Sequence, residues 1–296
     1  MVKVKFEFAN LNDHYLFQEL LKDKEIFQAI FEEIIQDSIG ELDRVTREHR
    51  VGNGLYTHEI NCDLLGVTTT GVLCNLELQN KPMKYLLNRT RYYVSVLQSN
   101  FYEKERNEPY SNVPNCYSIW LCNFDPFGDD SERNTLVPYR EEVGIIEEDG
   151  SVRIFIDIRK WERFTPKLQE LFRFMLDSSE ENGLNAKWDV VRKLYENMKE
   201  IKSMENKEAE YIAYGRARED GYIDGWYEGR DKGVIEGIEK GIEKGIEKGL
   251  VQGQERKTIE TIRNMYNKGF ELQMISEISG CSIERVQEII ELFFES

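Results

Sequence analysis

The chain has 296 residues, 40% of them hydrophobic and 11% aromatic, which supports one folded core of about 150–200 residues with an appendage and excludes wholesale disorder, a collagen-like repeat or a disulfide scaffold. Its 39 basic and 55 acidic side chains give a formal net charge of −16, which excludes a protein that coats nucleic acid over its whole surface but leaves room for a local basic patch. The five cysteines (Cys62, Cys74, Cys116, Cys122, Cys281) are scattered, and His14, His49 and His58 stand apart from them, so neither a zinc cage nor a disulfide framework is expected. No apolar run follows Lys3 and Lys5, and no stretch is apolar for the length of a bilayer. A reducing, cytoplasmic setting without membrane contact is therefore the expectation.

From Asp13 to Ile35 the apolar residues Leu16, Leu20, Phe27, Ile30, Phe31 and Ile34 recur at helical spacing, with Asn12 or Asp13 as cap. Residues after Gly40 read as polar and charged through Arg50. Two strand-like runs follow, Tyr56 to Val67 and Val72 to Asn80, joined by Thr68-Thr69-Thr70-Gly71 into a hairpin. Leu86, Tyr93, Leu97 and Phe101 restore the helical period over 85–102. The apolar, β-prone run Cys116 to Phe124 suits a strand buried on both faces. Val143–Glu147 and Val152–Ile158 flank Asp149-Gly150 and read as a second hairpin. From Pro166 onward the pattern is helical.

The organisation read this way is a core over 1–200, a helical extension over 201–258 and a small helical segment over 259–296. In the extension glycine recurs every fourth residue from Gly221 to Gly253. On a helix such glycines form one slowly drifting stripe, at a penalty of about 1 kcal/mol each relative to alanine. Close contact between helices, with Ile238, Ile242 and Ile246 packed beside the stripe, would offset that penalty and make a homo-oligomer. The charged Glu239, Lys240, Glu243 and Lys244 exclude a membrane-spanning version. The last segment, ISEISGCSIERVQEII, has the layout of a helix-turn-helix. Its second helix carries Glu284, Glu288 and Glu291 against Arg285 alone, which favours a packing unit over a DNA reader.

The first hairpin places Asp63 on one strand and Glu77 and Gln79 on the next, where alternation puts Glu77 and Gln79 on one face. Asp63 joins them if it stands opposite Glu77, which requires an odd-length loop or a bulge. Two carboxylates amid Cys62, Leu64, Leu76 and Leu78 require a compensating cation or hydrogen-bond network. The oxygen-rich set suits Mg²⁺ or Mn²⁺, which would bind a phosphodiester oxygen and lower the pKa of an attacking water. Gln79 would orient that water or the phosphate.

Asp63 and Glu77-Leu78-Gln79, then a helix with Arg89, Arg91, Tyr92 and Tyr93, then Cys122-Asn123-Phe124-Asp125-Pro126-Phe127-Gly128, resemble the bacterial PD-(D/E)XK nuclease family transposases, also called the recombination-promoting nuclease family. The resemblance covers the first 160–200 residues, and the glycine-repeat tail is similar to tails of that family. It implies an α/β fold, with a restriction-endonuclease-like mixed sheet flanked by helices and an α-helical C-terminal extension. It also implies Mg²⁺-dependent DNA endonuclease activity linked to recombination or mobile elements. Carried over, Asp63 and Glu77 hold the metal and Gln79 stands at the lysine position of the wider superfamily, while Cys62 replaces the proline before the Asp. Glu19, Glu32 and Glu33 are candidates for a further helix-borne acid.

Between Lys81 and Arg106 the sequence is locally basic, with Lys81, Lys84, Arg89, Arg91, Lys104 and Arg106 against Glu103 and Glu105. Lys81, Lys84, Arg89 and Arg91 are thereby candidate phosphate contacts, and Tyr93, on the apolar face, is expected in the core. The rival to a DNA endonuclease is a non-catalytic oligomeric interaction protein that retains the nuclease fold.

Overall fold

In the computed structural model, which describes residues 5–52, 59–102 and 109–294, the helical region after Asp13 is two helices, α1 (His14–Leu21) and α2 (Lys24–Ile35). The division is local chemistry. Asp13 accepts the N–H groups of Tyr15 and Leu16, and Asp23 those of Glu25 and Ile26. Each carboxylate satisfies the open donors of a new first turn, so the second cap ends the first helix.

The strands β1 (Leu42–Val51), β2 (Ile60–Thr68), β3 (Leu73–Gln79), β4 (Cys116–Cys122), β5 (Arg133–Leu136) and β8 (Ser151–Asp157) form a mixed sheet in the order β1-β2-β3-β4-β8-β5. β6 (Tyr139–Arg140) and β7 (Ile145–Ile146) pair separately. β3, β4 and β8 run parallel, and β1, β2 and β5 antiparallel to their neighbours. The crossover from β3 to β4 contains α3 (Leu86–Phe101).

Two sequence expectations change. The charged stretch after Gly40 is a strand, β1, on the edge of the sheet, where its polar side chains stay in water. The hairpin expected around Asp149-Gly150 does not form. Residues Ile154, Phe155 and Ile156 of β8 are buried on both faces, and the strand pairs in parallel with the equally buried β4. Interior parallel strands need that continuous apolar character, and the short, exposed Ile145–Ile146 lacks it. Of the first hairpin's expected range, residues 56–58 lie outside those described.

One face of the sheet carries α1, α2, α4 (Pro166–Leu176) and α6 (Asp189–Ser203), closing over Leu64, Leu76, Leu78, Ile119 and Ile154. The other carries α3, whose Leu86, Tyr93, Val94 and Leu97 cover Cys62, Leu65, Trp120 and Phe155. Each large side chain buried in these layers contributes about 1.5–3 kcal/mol. Gly66 admits the stacked Phe27–Phe31 pair: a Cβ there would lie 2.6 Å from the Phe27 ring.

The chain divides into two compact units, Met1–Gly215 and Arg216–Ser296. The short α5 (Glu180–Leu184) belongs to the first. The long helix α7 (Glu205–Asn267) starts in the first and continues in the second. Its first turns pack on the core, with Tyr211 and Tyr214 against the ring of Tyr15. In the second unit Ile262 of α7 meets Ile275 of α8 (Leu272–Ser279) and Val286, Ile289 and Ile290 of α9 (Ile283–Phe294) in a small core. Gly280 makes the turn with φ of 70°, and Ser282 Oγ accepts the Arg285 N–H. Arg285 pairs with Glu288 and Glu255, in keeping with a packing unit.

Candidate metal and nucleic-acid site

β2 and β3 pair from Val67 opposite Leu73 to Leu64 opposite Leu76, with residues 68–72 as an odd-length loop. The register brings Asp63 level with Glu77, but there side chains replace the backbone ladder. Glu77 Oε1 accepts the Asp63 N–H at 3.2 Å, and Asp63 Oδ2 accepts the Leu78 N–H at 2.9 Å. The strands fork, and the two carboxylates occupy the fork. Alternation along β2 breaks at this point: Cys62 packs on the α3 face and Leu64 on the opposite one. On β1, between the pairs Arg47–Leu64 and His49–Cys62, Glu48 takes a φ of 48°. Asp63 therefore reaches Glu77 through the fork, not by lying flat on the same sheet face.

From α1, Gln18 Nε2 donates to Asp63 Oδ1 at 2.9 Å, and His14 Nδ1 stands 3.7 Å from Asp63 Oδ2. The latter distance is an electrostatic contact, too long for a hydrogen bond, and among the described residues the buried Nδ1 has no hydrogen-bond partner. Burial works to raise the Asp63 carboxyl, but His14, the Leu78 N–H and Gln18 outweigh it and hold the group below its ordinary range. Glu77 is pushed well above the usual carboxylate range, by burial first and by the Asp63 charge second. Two carboxyls this close oppose each other's ionisation, and their surroundings favour the charge on Asp63 over Glu77.

Glu77 lies opposite Trp120 of β4. Over Trp120 and Tyr93 sits the Arg89 guanidinium, 5.3 Å and 5.0 Å from the ring centroids. Arg89 donates to the Tyr93 hydroxyl at 2.8 Å and approaches Gln79 Oε1 at 3.5 Å. The Gln79 amide nitrogen donates to the Lys81 carbonyl at 2.8 Å, which fixes the strand end.

A model of the PD-(D/E)XK nuclease family transposases matches residues 12–224, a span that contains α1, the forked hairpin and α3. The chain belongs to that family. No curated protein and no solved structure matches it. The six-stranded mixed sheet flanked by helices agrees with the restriction-endonuclease-like fold of PD-(D/E)XK proteins, and the family is one of nuclease type.

Among the described residues no three His, Cys, Asp or Glu side chains form a ready cage for an ion. The donor set in this PD-(D/E)XK core fits a different kind of site. Two carboxylates are the protein share that Mg²⁺ usually takes, the rest being water and substrate oxygens. The buried Glu77 carboxyl, held up in pKa beside a second carboxylate, is the group a divalent cation would relieve.

The three helix acids singled out in the sequence are engaged elsewhere. Glu19 is buried against Arg47, Lys22 and Lys207, whose charges outweigh burial and hold its pKa down. Glu32 accepts from Gln28, Ser38 and the Ile39 N–H, and Glu33 from Thr165 and Lys167. The α1 residues that do reach Asp63, His14 and Gln18, stand four apart on one helical face. Sequence reasoning missed both; their one signal is the four-residue spacing of two polar side chains, His14 and Gln18, on a largely apolar helix. Among the basic residues, Lys81, Lys84 and Arg91 are exposed, whereas Arg89 is drawn into the site. Lys104 and Arg106 lie outside the described residues. Asp125 of the Asp-Pro-Phe-Gly motif accepts the N–H groups of Phe127, Gly128 and Asp130 and shapes the turn after β4.

Proposed function

We propose that this chain is a Mg²⁺- or Mn²⁺-dependent DNA endonuclease that serves recombination or a mobile element in the cytoplasm. The observation that carries the reading is the fork, where Asp63 and Glu77 converge on each other's strand, with Glu77 buried and its carboxyl pushed above the usual range by burial and by Asp63. Asp63 and Glu77 are the residues that would hold the cation. Bound there, a divalent cation would supply charge that offsets what develops on a scissile phosphate and would make water a better nucleophile.

The chain's own side chains supply the remainder. Gln18 fixes the Asp63 carboxylate from behind, so that one ligand is oriented before substrate arrives. Gln79 presents an amide at the strand end, where it orients water or a phosphate oxygen. Lys81 and Lys84, in the segment before α3, and Arg91 within it are exposed and contact the phosphates flanking the cut.

The tail assembles copies of the chain. Among the described residues, Cβ atoms added at Gly233, Gly237, Gly241, Gly245, Gly249 and Gly253 would meet nothing within 4 Å. Beside them Val234, Ile238, Ile242, Ile246 and Leu250 are 54–62% exposed. This stripe of glycine and aliphatic residues fits the same stripe of a second copy. It also favours a second reading, a non-catalytic oligomeric interaction protein with the nuclease fold. Incubation of supercoiled DNA with the protein in Mg²⁺, with EDTA and Asp63→Ala as controls, decides between them: nicking that both controls abolish supports the endonuclease, and intact DNA supports the interaction protein. Among the described residues no helix is long and apolar enough to cross a membrane.

A further inference from the structure

We propose that Arg89 is the cation of the active site, gripping a non-bridging oxygen of the scissile phosphate and supplying the positive charge that Gln79 lacks. The inference rests on the endonuclease reading above.

Arg89 differs from its basic neighbours in being packed from α3 onto the sheet. Its guanidinium lies over the rings of Trp120 and Tyr93. Tyr93, which takes one of its hydrogen bonds, donates its own hydroxyl proton to the Asn61 carbonyl of β2 at 3.2 Å. Trp120 is held in turn by Nε1–H donating to Ser118 Oγ at 2.9 Å, and Ser118 also accepts from Asn75 at 3.0 Å. Asn75, Glu77 and Gln79 alternate along β3, and Trp120 is the cross-strand neighbour of Glu77. Through Tyr93 bonded to Asn61 and through Gln79, both β2 and β3 hold the guanidinium in place beside Glu77's cross-strand neighbour.

Its bonding leaves capacity for a ligand. A guanidinium carries five N–H donors in a planar fork suited to phosphate oxygens. Among the described residues its hydrogen bonds go to neutral atoms: the Tyr93 hydroxyl, Met83 Sδ at 3.4 Å and Gln79 Oε1 at 3.5 Å. Buried cations are usually paired with carboxylates. Here the charge is kept by aromatic faces at the rim of a fork that holds two carboxylates. A scissile phosphate placed at the Asp63–Glu77 fork would bring a non-bridging oxygen toward Gln79 and Arg89, which stand side by side at its rim. In a displacement at phosphorus, the water oxygen forms its bond to phosphorus, the bond to the leaving sugar oxygen breaks, and negative charge rises on the non-bridging oxygens. Fixed donors at those oxygens act on that rise in charge.

The test uses the full-length chain with Arg89→Met, which keeps an apolar stem on the two rings, and Arg89→Lys, which keeps the charge. Single-turnover cleavage of supercoiled DNA, DNA binding in Ca²⁺ and the Mn²⁺-induced shift in melting temperature are measured for each. Arg89→Met is expected to keep the Mn²⁺ shift and DNA affinity within about tenfold while cutting about 100- to 1,000-fold more slowly. Arg89→Lys should recover at least about tenfold of that rate. Cleavage by Arg89→Met at the wild-type rate overturns the proposal. So does a fall in melting temperature and Mn²⁺ shift that parallels the fall in rate, which marks a structural clamp. If Arg89→Met melts below the assay temperature, Arg89→Lys decides: a normal melt with a rate as low as that of Asp63→Ala overturns the proposal, and a rate clearly above it supports it. A wild type that binds Mn²⁺ and cuts no DNA overturns the endonuclease reading itself, and the role of Arg89 with it.

Discussion

Asp63 and Glu77 exchange contacts crosswise, Glu77 accepting the Asp63 N–H while Asp63 accepts the N–H of Leu78 beside Glu77. The exchange is unequal, because Asp63 also takes Gln18 and stands beside His14. Neutralising the two carboxyls should therefore have opposite effects without metal. Asp63→Asn turns an acceptor into a donor facing donors and should destabilise by about 1–3 kcal/mol. Glu77→Gln preserves the acceptor for the Asp63 N–H, replaces a carboxyl whose ionisation burial and Asp63 both oppose, and should leave stability unchanged or raise it. Urea unfolding in EDTA compares the two, and equal losses would contradict the assignment of the charge to Asp63.

The raised pKa of Glu77 gives the metal-free protein a distinct pH profile. The unfolded chain releases this proton in the ordinary carboxylate range, and the folded protein keeps it to higher pH. Over that interval the folded state binds more protons, so stability is fully present at the low end and declines as pH rises toward the folded pKa. Glu77→Gln should remove that decline. Denaturation midpoints from pH 4 to 8 in EDTA test it, and a decline of the same size in the variant would place its origin elsewhere.

Lys81, Lys84 and Arg91 are exposed, and each should act on DNA through charge alone. Replacing each by glutamine should reduce the slope of log affinity against log salt by about one unit. Fluorescence anisotropy in Ca²⁺ across a salt series reads the slope. An unchanged slope in all three would mean that these residues only solvate α3.

The tail can be separated from the core at a defined point. Tyr15 donates to Glu210 and packs against Tyr211 and Tyr214, and Lys207 pairs with Glu19, so the base of α7 belongs to the core. Ending the chain after Arg218 should preserve the melting temperature and yield a smaller oligomer by sedimentation. Ending it after Met204 should destabilise the core by about 2 kcal/mol or more, since Tyr15 and Phe6 lose aromatic cover. Equal numbers of chains per particle before and after the cut at Arg218 would contradict self-association through the glycine stripe.

Local chemistry made much of this legible in the sequence. The helical period, the hairpin of β2 and β3, the buried strand at Cys116 and the cap at Asp13 stand where residue type and spacing put them, whereas the Thr68–Gly71 turn is one residue short of the connection that the register shows. What escaped depends on neighbours distant in sequence. β1 is an edge strand whose charged residues imitate a loop, and it is a strand only because β2 offers a partner. The run at Val152 has the composition of a hairpin arm, yet a parallel neighbour buried on both faces claims it. Asp63 and Glu77-x-Gln79 could be read as a unit, whereas His14 and Gln18 join them only once α1 packs beside the fork. Arg89 looked like one more surface cation because nothing in α3 alone shows that Trp120 lies beneath it.

The cation at the fork is tested most directly by thermal melts with and without Mn²⁺, on the wild type, Asp63→Asn, Glu77→Gln and Gln79→Ala. Because an ion held between Asp63 and Glu77 binds the folded site and not the unfolded chain, a hundredfold excess over its dissociation constant should stabilise the wild type by about 2.7 kcal/mol. Both carboxylate variants should lose most of that increment, and Gln79→Ala should keep it. A Mn²⁺-dependent shift of the same size in the wild type and in both carboxylate variants would contradict a metal held by Asp63 and Glu77.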